Sequence, residues 1–211
     1  TEKKGTEPTS CHGLVIMNRL CVWLACLFLV APVVAADSPL REQILANLAG
    51  QTQKHFYFVQ EKKLSMLDKP LVTEGELQIN QNPDGQEHTI IWDIQKPYAL
   101  RYILTRNTIR EIDTQGERTL QVGQNPIAAA LTQAMTATFS GQWKDNDTLA
   151  AVTATGALAD WQLLVTPLSA DLQPLIKTIA VTGHEGVINT VVIAESNGDS
   201  TTIHLKNITV P

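Results

Sequence analysis

The feature that most constrains this chain is a change of hydrophobic period. Residues 39–52 place Leu40, Ile44, Leu45 and Leu48 at helical spacing. Ser38 is a good cap for such a helix and Pro39 suits its first position. From His55 onward the period falls to two. Successive runs cover His55–Lys62, Leu71–Gln81, His88–Ile94, Tyr98–Thr105, Thr108–Asp113 and Arg118–Val122. Turn chemistry separates them: Asn82-Pro83-Asp84-Gly85, Lys96-Pro97 and Thr114-Gln115-Gly116. Strands recurring at such short intervals with Gly and Pro between them predict a meandering antiparallel sheet or barrel.

The middle of the chain interrupts that rhythm. Pro126–Phe139 is Ala-rich and free of Gly, with Asn125 to cap it, Pro126 to start it and Gly141 to stop it. Ile127, Leu131, Met135 and Phe139 lie four apart and predict one apolar helical stripe. A second helical turn is expected at Asn146–Ala151. Strands then resume at Ala151–Thr155, Trp161–Pro167, Ile176–Gly183, Val187–Glu195 and Ser200–Val210, with hairpin turns at Gly183–Gly186 and Ser196–Asp199. Asn197-Gly198 is the strongest short hairpin signal. With no repeat, linker or low-complexity tract, a single α+β domain follows.

The N-terminal segment reads as an address. Met17-Asn18-Arg19 is a short basic start, Leu20–Val30 is an unbroken apolar run, and Val34-Ala35-Ala36 offers small residues before Asp37. That order predicts an export signal over 17–36, cleaved after Ala36, with 1–16 standing outside the fold and 37–211 forming the domain. Cys11, Cys21 and Cys26 all precede Asp37, so the exported chain has no disulfide and no thiolate chemistry. The sequence holds 16 basic and 21 acidic residues, a net charge of -5. Without a cluster of Lys and Arg this excludes a nucleic-acid binder.

The chemistry-bearing residues are sparse. There is no phosphate loop, nucleophile elbow or zinc helix. His55, His88, His184 and His204 are isolated in sequence. Glu74 and Glu76 share a strand face, which alternation assigns to solvent. No catalytic residue, metal site or cofactor is expected. What remains is apolar: Phe56, Phe58, Leu77, Ile79, Ile90 and Trp92 on strands, and Leu131, Met135 and Phe139 on the second helix.

In order and spacing these segments resemble the LolA-like periplasmic carriers of outer-membrane lipoproteins. The likeness runs through 39–211. It is carried by Phe56–Lys62, Lys69–Leu77, Ile90-Ile91-Trp92 followed by Lys96-Pro97, Trp161–Leu168, and the closing segment Ile188–Lys206 with Asn197-Gly198-Asp199. The resemblance implies a half-open antiparallel β-barrel whose open mouth is covered by helices, with an apolar cavity between. It implies a periplasmic, monomeric carrier that shields the acyl chains of lipoprotein or lipid cargo. Such a carrier passes cargo from an inner-membrane release complex to an outer-membrane acceptor without covalent chemistry. The ligand-contacting residues expected on this basis are Phe56, Phe58, Leu77, Ile79, Ile90, Trp92, Leu131, Met135 and Phe139, with the Ile127–Phe139 stripe as lid. The alternative is a lipid- or lipoprotein-sensing module on the same fold that docks on a membrane regulator. Such modules usually carry a second domain, for which a chain of 211 residues has little room. One departure stands out. The family's better-known members carry an Arg-Pro pair before the Trp-bearing strand, where the Arg latches the lid. Here Gln81–Gln86 has no Arg, so both latch and cargo are left open.

Overall fold

The computed structural model describes residues 39–51, 53–81, 87–143 and 148–208. The expected leader over 17–36, the Ser38 cap and the Asn82–Gly85 turn lie outside the described residues, as does most of the Arg-less stretch.

The period-two segments form eleven strands: β1 (Gln53–Lys63), β2 (Leu71–Gln81), β3 (His88–Lys96), β4 (Leu100–Leu104), β5 (Thr108–Asp113), β6 (Gly116–Gln121), β7 (Ala150–Ala157), β8 (Asp160–Pro167), β9 (Ile176–His184), β10 (Val187–Glu195) and β11 (Ser200–Asn207). They pair in the order β6-β5-β4-β3-β2-β1-β11-β10-β9-β8-β7, antiparallel throughout. β1 meets β11 at the centre, so the two halves of the chain share one strongly curved sheet. β6 and β7 remain its two edges, and the barrel is half-open. Register follows the hydrophobic alternation, because a one-residue slip would turn every apolar side chain outward. Phe56 lies opposite Leu77, Leu77 opposite Trp92, and Ile79 opposite Ile90, all buried on the concave face.

Two helices occupy the concavity. In α1 (Pro39–Ala49) Ile44, Leu45 and Leu48 are buried, and the helix packs on β7 and on α2 (Pro126–Ser140). A 3₁₀ turn, Val122–Gln124, leads into α2. The Asn125 side chain accepts the Ala128 N–H at 3.0 Å, and Pro126 stands at the helix start, as the sequence predicts. The stop is equally local. Gly141 takes φ 77°, and its N–H bonds the Ala137 carbonyl at 3.0 Å.

Gly141 also sits where the helices touch. A Cβ there would lie 2.6 Å from the Leu45 carbonyl oxygen and 2.8 Å from the Leu48 Cβ. Left-handed strain costs about 1–2 kcal/mol for an L residue, and overpacking about 1–3 more. Gly141→Ala is therefore expected to destabilise by about 2–5 kcal/mol, seen as a lower urea midpoint with an unchanged slope. An unchanged midpoint would mean the two helices are not held in this contact.

Some sequence expectations are corrected. The helical turn over Asn146–Ala151 is not formed in its described part. Residues 148–149 are a turn and Ala150 already opens β7, pairing with Pro167 while Ala151 pairs with Thr166. Tertiary pairing overrides the helix propensity of alanine there. The last strand ends at Asn207, and β4 begins at Leu100, two residues later than expected. The stripe on α2 is also shorter than expected, since Ile127 is 46% exposed. It stands in the first turn of α2.

Candidate ligand cavity

Alternation decides which strand residues point inward, but two things compete for the concave face. α1 and the C-terminal turn of α2 fill one part of it. What they leave is a cavity of about 390 Å³ between α2 and the sheet, within the usual range for small-molecule sites. Trp92, Ile94, Tyr102, Leu104 and Ile109 line it from β3, β4 and β5. Ile176, Ile179, Val191, Ile193 and Ile203 line it from β9, β10 and β11, and Leu131, Ala134, Met135 and Phe139 from α2.

Of the nine side chains expected from sequence, Trp92, Leu131, Met135 and Phe139 are on this lining. Phe56, Phe58, Leu77, Ile79 and Ile90 are buried on the same concave face but belong to the packed core beside it. Phe58 backs the cavity through Trp92, with ring centroids 5.0 Å apart, and Trp92 meets Phe139 edge-on at 6.3 Å. This aromatic stack is the boundary between core and cavity. The lining from β9 to β11 was not singled out from sequence. Its only signal there is the same inward parity that core residues carry.

The cavity is apolar but not uniformly so. Gln60 and Thr201 join the lining from β1 and β11. That Thr201 hydroxyl and Lys62, two residues beyond Gln60 on β1, both donate to Glu195, at 3.2 Å and 2.9 Å. On the opposite flank the Tyr102 hydroxyl bonds Glu111. Burial first, and that bond second, push it above the usual phenol range. Arg118 bridges Glu111 and Asp113 at 2.6 and 2.7 Å. The Thr132 hydroxyl on α2 is buried without a hydrogen-bond partner among the described residues.

Lys54 links both helices to the sheet. It points inward from β1 and is only 4% exposed. Its Nζ donates to the Leu48 carbonyl at 2.7 Å and to the Phe139 carbonyl at 2.5 Å. Both carbonyls stand in the last turns of their helices, where no backbone N–H of the same helix remains to satisfy them. One ammonium thus caps α1 and α2 together and ties both to the sheet, in favourable alignment with both helix dipoles. Burial lowers its pKa from 10.5 to about 8. Lys54 directly precedes the alternating run His55–Lys62, and no sequence signal marks it.

The other titratable groups do not converge on the cavity. His55 bonds Glu76 at 2.8 Å on the convex face. Glu74 accepts from Tyr57 and Lys96, which hold it below the usual carboxylate range. His184 stands at the end of β9 beside the turn to β10, and His204 faces Thr190 at 3.5 Å. Among the described residues no group of three His, Cys, Asp or Glu is placed to hold a metal, and no helix is long and apolar enough to cross a membrane.

Several of the exposed apolar residues stand at one end of the barrel, while Leu120, Ile127, Leu164 and Val192 lie elsewhere. Met66, Leu67 and Leu71 lie in or beside the β1–β2 loop, Tyr98 between β3 and β4, and Leu168 and Leu175 between β8 and β9. In an antiparallel meander these connections share one end. It is the end toward which Gln60, Ile94, Ile176, Ile193 and Thr201 stand in their strands.

Comparison with known proteins agrees with this architecture. The family model for outer membrane lipoprotein carrier protein LolA-like chains matches residues 31–207. A DUF1329 family protein from Desulfovibrio piger aligns with TM-score 0.50 at 9% identity, over 81% of this chain and 92% of that one. A LolA superfamily protein from Nitrosomonas europaea aligns with TM-score 0.43 at 7% identity, over 81% and 94%. MucB, solved with MucA from Pseudomonas aeruginosa, aligns with TM-score 0.41 at 11% identity, over 81% of this chain and 56% of that one. At 9% identity the likeness to the Desulfovibrio piger protein is one of fold alone. No curated protein sequence matches the chain.

Proposed function

From the premise that this chain belongs to the LolA-like family of outer membrane lipoprotein carriers, we propose that it is a periplasmic carrier of acylated cargo. It is exported by a leader cut after Ala36 and holds acyl chains between α2 and the sheet. The observation that carries this reading is the apolar cavity of about 390 Å³. An acyl chain cannot cross water unshielded at acceptable cost, since each exposed methylene is unfavourable by about 0.8 kcal/mol. A cavity covering a dozen of them holds cargo by about 10 kcal/mol before entropic costs.

A carrier must also let go. A helix lid whose own side chains compete for the same space lowers the net affinity and makes transfer reversible. Leu131, Met135 and Phe139 are placed for that competition, and Lys54 supplies the latch. The ligand contacts of this reading are Trp92, Leu131, Met135 and Phe139, with Phe56, Phe58, Leu77, Ile79 and Ile90 as the packed support behind them. An inner-membrane release complex and an outer-membrane acceptor would meet the apolar end of the barrel, where cargo enters. No step makes or breaks a covalent bond.

Native mass spectrometry of the protein purified gently from the periplasm of its own host tests the reading. A co-purifying species of lipid or lipopeptide mass is the expected result. An apo mass that also takes up no added acyl probe would sink it and leave the sensing module in its place.

A further inference from the structure

α2 borders a second space, and this one is polar. At the end of the barrel opposite the exposed apolar loops, a cleft lies between α2, the start of β3 and the β4–β5 turn. Glu87, His88 and Arg106 line it from the sheet side, and Thr132, Gln133 and Thr136 from α2. Leu104 and Ile109 of the apolar cavity flank the turn that carries Arg106, and Thr132 lines both spaces. The cleft therefore abuts the apolar cavity at Thr132.

Thr132 is only 4% exposed, and its hydroxyl has no partner among the described residues. A buried helical threonine can return its hydroxyl to the carbonyl four residues back, as Thr138 does to Ala134 at 2.7 Å. Thr132 makes no such bond, and a buried unmade hydrogen bond is costly. Arg106 is exposed, and neither it nor Glu87 has an ion-pair partner among the described residues. The turn beneath Arg106 is nevertheless fixed. The Thr108 N–H bonds the Thr105 hydroxyl at 3.1 Å, and the Val122 N–H bonds the Asn107 carbonyl at 2.9 Å. A guanidinium on a fixed turn suits bidentate capture of a carboxylate or phosphate.

The charge of Lys54 also reaches this cleft. Burial first, and that charge second, hold His88 below the usual imidazole range. An anion in the same place would feel that cation as an attraction. Gln133 and Thr136 add donors. Glu87 is the only carboxylate among the described lining residues, and it opposes an anion. Arg106, His88 and Glu87 stand on the sheet side, so a displaced α2 leaves them where they are.

We infer that this cleft is a second binding site, which takes the carboxylate or phosphate group of a ligand against Arg106, with Thr132, Gln133 and Thr136 as hydrogen-bonding partners. The site does not depend on the carrier reading. Its anion is either free or the head of an amphiphile whose chain lies in the apolar cavity.

Calorimetric titration of the purified protein tests this and separates the two sources. The probes are inorganic phosphate, dodecyl phosphate and a neutral dodecyl glycerol ether, the amphiphiles below their micellar concentrations. Dodecyl phosphate is expected to bind at least about tenfold tighter than the neutral ether. Arg106→Gln, at an exposed position, should erase that preference, and Glu87→Gln should enlarge it. Thr132→Val should raise the unfolding temperature of the empty protein by about 2–4 °C yet weaken phosphate binding, the opposed signs of a hydroxyl kept for a ligand. Inorganic phosphate bound as tightly as dodecyl phosphate identifies a free anion, and a gain from the chain identifies a head group. Equal affinity for the two amphiphiles with no uptake of inorganic phosphate would overturn the site while the carrier reading stands. Phosphate binding that Arg106→Gln leaves unchanged would overturn it too. Arg106-dependent binding of phosphate without uptake of either amphiphile would keep the site and sink the carrier reading. If no probe binds, both fall.

Discussion

Lys54→Ala is expected to lower the unfolding free energy by about 2–4 kcal/mol, large against the 5–15 kcal/mol that holds a typical domain. Three contributions set the figure. Removing the ammonium strands the Leu48 and Phe139 carbonyls in a buried place, at about 1–3 kcal/mol each. Truncation also forfeits the packing of the aliphatic stem, about 0.8 kcal/mol per methylene. Against these, the variant no longer buries a charge, a relief on the order of 3 kcal/mol given a pKa lowered from 10.5 to about 8. That relief carries a pH signature. Between pH 8 and 10.5 the unfolded chain binds the proton at Lys54 and the folded chain does not, so wild-type stability rises with pH across that window. Below pH 8 both states are protonated and the full desolvation cost is present. The neutral amine above pH 8 still has hydrogens for both carbonyls. Urea unfolding of both proteins at pH 7 and at pH 10 checks this. The gap between them should widen at the higher pH by an amount on the order of 3 kcal/mol. Equal gaps at the two pH values would show that Lys54 is not buried as described.

Leu131→Glu is expected to weaken acyl binding by at least about a hundredfold while leaving the fold nearly as stable. The asymmetry comes from where Leu131 sits. It is half-buried on the cavity side of α2, so in the empty protein a carboxylate there keeps contact with water. Once an acyl chain fills the space, that carboxylate loses its water and gains no cation on the lining. Burying an unpaired charge costs several kcal/mol, and about 3 kcal/mol is already more than a hundredfold in affinity. Fluorescent fatty-acid displacement and thermal unfolding, run on the same samples, separate the two effects. Normal binding by a normally folded variant would place the ligand elsewhere. A variant that fails to fold would show Leu131 to be core.

Much of the architecture was legible along the chain. The switch from period 3.6 to period 2 located both helices and nearly every strand, and the Asn125, Pro126 and Gly141 signals set the ends of α2 to within a residue. These are local effects: a cap, a fixed φ, a left-handed stop and the parity of a pleat are each decided by one to four neighbouring residues. The exception at Ala150–Ala151 has the same logic reversed, since there the ladder partners are Pro167 and Thr166 at the far end of the β7–β8 hairpin, beyond the reach of local propensity.

The site was only half legible. Parity put Phe56, Leu77, Ile79, Ile90 and Trp92 on one face, and the structure has them there, but parity cannot say which inward residues meet a helix and which meet empty space. That depends on where α1 and α2 come to rest across the sheet. Trp92 therefore lines the cavity while Leu77, its cross-strand partner, is sealed in the core. Lys54 shows the same limit. Nothing in the sequence around Lys54 marks it, and only the convergence of two helix ends on its ammonium makes burial tolerable. The sequence by itself determined the elements, their caps and their inward faces, because those follow from short-range geometry. The tertiary structure alone decided the cavity, its size and its latch, because a void is defined by what fails to fill it, and that is a property of packing among elements far apart in the chain.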